Sequence, residues 1–167
     1  MPTRDEKEER QPPSQEATFV LDECRMILPG IQALFGFQLV AVFNQVFWEK
    51  LSSSEQTLHL IAIALITVAV ALVMTPAAYH RQVERESISH DFIRLASRLL
   101  LMSLVPLVLG IGLDFYLIAK LIVGEGPISL ALALLLLGVF VTLWVLLPRM
   151  TALQNLVRGG PATPGRK

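Results

Sequence analysis

The sequence predicts an all-α integral membrane protein: four antiparallel membrane helices in a bundle, with an amphipathic helix ahead of the first. Three observations carry this expectation. Hydrophobic residues make up 53% of the 167, and the mean hydropathy is +0.58, too apolar for water to solvate as one ordinary soluble domain. Four apolar runs each extend for about twenty residues, and at about 1.5 Å rise per residue that matches a hydrocarbon core of about 30 Å. Of the 14 Lys and Arg, only Lys50 and Lys120 fall on one side of the runs, and all the others fall on the opposite side. The positive-inside rule then places both termini and the central link in the cytoplasm, with the cell (inner) membrane as the location.

Composition also narrows the function classes. Fourteen basic residues balance 14 acidic ones, so no net positive field points to nucleic acid. The single cysteine, Cys24, excludes an intramolecular disulfide and a cysteine-rich metal site. The opening MPTRDEKEERQPPSQE has no apolar stretch behind a basic one, so no cleavable signal peptide is expected. Gly-rich phosphate loops, nucleophile elbows, HExxH and paired carboxylates are all missing from the sequence, and no enzyme, cofactor or metal is expected.

In chain order, residues 1–15 are charged and proline-bearing and are expected to form a disordered tail. Ser14, after two prolines, is a plausible N-cap. Residues 16–28 read as a surface amphipathic helix, with Phe19, Val20, Cys24 and Ile27 to one side and Asp22, Glu23 and Arg25 elsewhere. The membrane domain covers 16–149, and its first span, about 29–48, is the most polar, with Gln32, Gln38, Asn44 and Gln45. A kink or fresh start is expected at Pro29-Gly30. At 100° per residue, Asp22, Arg25, Pro29, Gln32 and Gly36 share one stripe, with Gln38 and Gln45 nearly opposite. A helix polar on both faces should be enclosed, within one chain or between subunits. The second span, about 57–79, repeats small residues at Thr67, Ala71 and Thr75, a seam for close helix approach. Residues 82–94 carry both signs and should be a mostly helical link. In the third span, about 95–119, Ala96, Ser103, Leu107, Gly110 and Asp114 share a face, and Pro106, Gly110 and Gly112 weaken the helix before Asp114. The fourth, about 128–147, is Leu-rich and lipid-facing, with Gly138 and Thr142 as its close-packing pair. Residues 150–167 are expected to be a disordered tail.

Asp114 is the acidic side chain set inside a hydrophobic run. An ionised aspartate in mid-span costs about 2.5–3.5 kcal/mol on insertion scales, and Asp114 lies about 9 Å below the boundary marked by Lys120. Gln38, Asn44, Gln45 and His59 lie at comparable depth near the outer ends of the first two spans. Together the five form a candidate ion or proton site. The alternative is a hydrogen-bonded aspartate near the headgroups, with amides that only join helices. His80, Glu84 and His90 share a helix face but lack a third close ligand of diagnostic spacing, so no metal site is assigned.

The runs ECRMILPGIQALF (23–35), TPAAYHR (75–81) and RLASRL (94–99) resemble a family of small uncharacterised bacterial four-span membrane proteins. The likeness covers about residues 18–149. It implies the four-span fold and places Arg25, Pro29, Gln32, Pro76, Tyr79, His80 and Arg81 in the family's pattern, all near the cytoplasmic side. Some members carry the label sodium:proton antiporter. A chain this short lacks the inverted repeats of broken helices found in known antiporters, so transport would need an oligomer or another design. Two readings stay open. One is a structural or regulatory membrane component acting through that cytoplasmic cluster. The other is a minimal ion- or proton-coupled transporter or channel subunit. The partners expected are the lipid bilayer and either a homo-oligomer or another membrane protein.

Overall fold

The computed structural model of the protein describes residues 13–83 and 90–149, and every regular element among them is helical. They are α1 (Pro13–Val42), α2 (Gln45–Lys50), α3 (Ser53–Val83), α4 (His90–Val123), α5 (Gly126–Val141), a π-helical turn at Thr142–Leu146, and α6 (Leu147–Arg149). Four stretches are long and apolar enough to cross a membrane: Ala17–Val42, Ser53–Gln82, Asp91–Val123 and Gly126–Arg149. The expected tails lie outside the described residues, except that 13–15 open α1. The middle of the link, 84–89, also lies outside them.

The expected surface helix and first span are one element. α1 runs through Pro29 and Gly30 without a fresh start. Proline removes one backbone donor, but in an apolar surrounding the remaining ladder has no water to exchange for, so the helix persists. It ends at Val42, well before the expected Trp48. Phe43 and Asn44 donate their amides to Val40 O and Ala41 O, the tightened i→i+3 pattern of a helix end. Asn44 then caps α2, its Oδ1 accepting from the Val46 amide at 3.0 Å. The indole of Trp48 donates back to Val42 O at 2.9 Å, serving a carbonyl that the helix end leaves over.

α3 begins earlier than the hydropathy suggests. Glu55 accepts from the Ser52 amide at 2.8 Å and from its hydroxyl at 2.7 Å, half of a capping box written as Ser-x-x-Glu. Pro76 lies inside α3 and Pro106 inside α4.

By contacts the chain divides into two units, with the boundary between Ile111 and Gly112, inside α4. In the first unit, Cys24 and Ile31 of α1 pack with Ile66, Ala69 and Val73 of α3 and Leu100 and Leu107 of α4. The expected small face of α4 is turned inward: Ala96, Ser103, Leu107 and Gly110 are all buried. A Cβ on Gly110 would stand 2.7 Å from Ile66 Cδ1 and 3.2 Å from Ala62 O, so glycine is what lets α3 and α4 come this close. The other expected seam is not used within the chain. Thr67, Ala71 and Thr75 are exposed, and the two hydroxyls bond to their own helix, Thr67 to Ile63 O and Thr75 to Ala71 O.

α1 is also not enclosed by its own chain. Less of its span is buried than of the spans in α3 and α4. Its buried residues, Cys24, Ile31 and Gln38, follow a seven-residue repeat, which puts Pro29, Gly36 and Val40 on the far side.

In the second unit, Gly112 packs against Leu137, where a Cβ would lie 2.8 Å from Cδ2. The turn into α5 uses Gly124 at φ +79, a conformation that favours glycine. α5 buries Ser129 and Ala133, and the Ser129 hydroxyl is satisfied by Glu125 O at 2.7 Å. The expected pair Gly138 and Thr142 is exposed, as is every residue from Val141 to Arg149.

Candidate functional site

The amides and His59 were expected to form one site with Asp114. Among them, the structure joins Gln38 and His59. Both are buried, at 4% and 7% exposure, and His59 Nε2 lies 3.0 Å from the Gln38 carbonyl oxygen. A carbonyl only accepts, so Nε2 carries the hydrogen and donates it, which ties α3 to α1. Phe47 covers the ring with centroids 5.2 Å apart and meets Trp48 edge-on at 5.3 Å. The Asn44 cap is what sets this up, because it starts the short helix that carries Phe47 back over His59. Asn44 itself is exposed and its oxygen is used in capping, and Gln45 is exposed. Asp114 belongs to the second unit, half-buried on α4.

The residues of the second expected cluster divide between two places. Tyr79 and His80, at the end of α3, lie against Phe92 at the start of α4. The Tyr79 ring stacks on it at 6.0 Å with planes 14° apart, and the His80 ring is at 5.6 Å, tilted 36°. Phe92 is 2% exposed and packs with Ala17 and Ala96, beside Val20, Leu21 and Ile93. Three helices of the first unit are thus pinned by one benzyl group. His80 Nδ1 is buried and has no hydrogen-bond partner among the described residues. Pro76, one turn earlier, is buried, and Arg81 is exposed. Arg25, Pro29 and Gln32 instead lie along the exposed side of α1. Arg25 pairs with Asp22 at 3.2 Å, both well exposed, a contact worth at most a few tenths of a kcal/mol.

Phe92, Phe47 and the Ser52–Glu55 cap are functional-looking positions that sequence reasoning missed. Phe92 carried a signal, since it falls in phase with Ala96, Ser103 and Gly110. The cap carried one in its Ser-x-x-Glu spacing. Phe47 had none, because its role depends on where α1 stops. A groove of about 260 Å³ lies between α1 and α4, lined by Glu23, Ile27, Ser97, Leu100, Leu101 and Leu104. No group of three or more His, Cys, Asp or Glu comes together among the described residues. Glu84 and the ring of His90 lie outside them.

The model of a family of unknown function (DUF6328) matches residues 4–148, and the chain belongs to that family. No curated protein and no solved structure matches it.

Proposed function

We propose that this family member is a small multi-pass component of the cell's inner membrane with a structural or regulatory role, acting by helix packing and lipid contact and not by catalysis. The observation that carries the reading is the use made of Tyr79 and His80, whose polar rings are spent on Phe92 in joining the end of α3 to the start of α4. That end of the first unit also bears Arg94 and Arg98, both exposed, which suits a surface meeting anionic headgroups. Both termini lie in the cytoplasm on this reading, with Lys50 and Lys120 outside.

Phe92→Ala should remove about 3–5 kcal/mol of stability by leaving a cavity. His80→Ala or Arg25→Ala should disturb assembly or partner recovery from membranes, while Asp114→Asn leaves both unchanged. If His80→Ala and Arg25→Ala leave assembly and recovery as in the native chain, the reading fails.

A second reading, a minimal ion- or proton-coupled transporter or channel subunit using Asp114 with Gln38, Asn44, Gln45 and His59, draws on the buried Gln38–His59 contact. It requires a proton- or sodium-dependent flux in vesicles that Asp114→Asn abolishes. Flux no greater than background in the native protein removes it.

A further inference from the structure

Gln32 is the residue whose placement demands an explanation from outside the chain. It lies seven residues past Arg25 and twelve before Asn44, so about 10 Å of helix separates it from one polar boundary and about 18 Å from the other. That depth is well inside hydrocarbon, and a glutamine side chain is too short to reach headgroups from there. Yet Gln32 is exposed, and among the described residues its amide has no hydrogen-bond partner. An amide facing lipid tails forfeits the hydrogen bonds it would have in water, so it recruits a partner from another helix.

The face around it leaves room for one. On a helical wheel Arg25, Pro29, Gln32, Gly36 and Val40 fall on one side, opposite the buried Cys24, Ile31 and Gln38. A Cβ placed on Gly36 meets nothing within 4 Å, so the chain's own packing does not require glycine there. The exposed seam of α3 makes no such demand, since Thr67 and Thr75 already bond to their own helix.

We infer that this face of α1 is a twofold seam with a second copy of the chain. A primary amide carries both donor and acceptor, so it is complementary to itself. Two chains inserted in the same sense place their Gln32 residues at the same depth, where each N–H donates to the other's carbonyl about an axis along the membrane normal. Gly36, one turn on, lets the two backbones approach, and Arg25 brings little repulsion because Asp22 pairs with it. This deepens the helix-packing reading by naming the partner, and it rests on that reading.

The test uses full-length Cys24→Ala chain in phosphatidylethanolamine/phosphatidylglycerol vesicles. With Gln32→Cys added, oxidation should give a disulfide-linked dimer, whereas Leu135→Cys, exposed on α5, should not. Energy transfer between donor- and acceptor-labelled chains, followed as lipid dilutes them, should show association weakened about tenfold by Gln32→Leu and preserved by Gln32→Asn. Gly36→Leu should abolish association while leaving the helical circular dichroism and the Phe92-dependent stability unchanged. Association that survives Gln32→Leu, without cross-linking at position 32, overturns the seam and leaves the helix-packing role standing. A chain that stays monomeric at every density overturns the seam as well, and the packing role is then judged by the His80 and Arg25 variants alone.

Discussion

Gly110 and Gly138 differ by what a single methyl group would meet. At Gly110 it would press on Ile66 Cδ1 and on the Ala62 carbonyl oxygen, and Ile66 is fully buried with no open space to move into. Gly110→Ala should therefore destabilise the first unit by about 1–3 kcal/mol, read as an earlier midpoint in detergent-mixture unfolding. At Gly138 the same methyl meets nothing, and Gly138→Ala should be neutral or gain up to about 1 kcal/mol from helix propensity. Equal midpoints for the two variants would contradict the packing described. The sequence marked both glycines as close-packing positions, and only one is. Spacing along a helix records which residues share a face; in lipid it does not record whether that face meets protein, because tails accept apolar side chains as readily as another helix does. The same limit explains Thr67, Ala71 and Thr75, read correctly as one face but turned outward. For the candidate sites, Gln38 and His59 were legible as polar groups of similar depth, whereas the placement of Asn44 and Gln45 depended on a helix end that hydropathy does not register.

Among the elements, α2 shows how a short helix can be held by its cap. Six residues cannot sustain a helix by propensity, so α2 depends on the Asn44 oxygen, the Trp48 indole bond to Val42 O and the Phe47 ring against His59. Asn44→Ala should cost about 1 kcal/mol and speed hydrogen exchange at Val46, with Asn44→Asp restoring protection. Unchanged exchange in Asn44→Ala would mean that the aromatic contacts alone hold the element. The four long helices were legible because twenty-residue apolar runs leave few alternatives. Their ends were less so. The first span stops early and the second starts early for the same reason: Asn44, Ser52 and Glu55 satisfy backbone groups locally, and such bonds override the slow fall of hydropathy at a boundary.

For the whole molecule, four apolar helices make a membrane location the natural one, and the arginine distribution assigns its sides. Cysteines placed in the terminal segments should be blocked by a membrane-impermeant maleimide only after the cells are opened, while one at Ser53, beside Lys50, should be blocked in intact cells. Opposite accessibility of the two ends would refute the proposed sidedness. One feature of the second unit bears on how this chain tolerates change in length. The turn at Thr142–Leu146 is π-helical, with Phe140 and Trp144 stacked across its start at 4.9 Å, and a wide turn of this kind accommodates one surplus residue without opening the helix. Deleting a single residue there would let the backbone relax into an ordinary spiral, at the cost of rotating Leu147, Pro148 and Arg149 by about 100°. The chain therefore carries a built-in slack that can absorb an insertion or deletion near its basic stop without shortening the membrane crossing by a full turn.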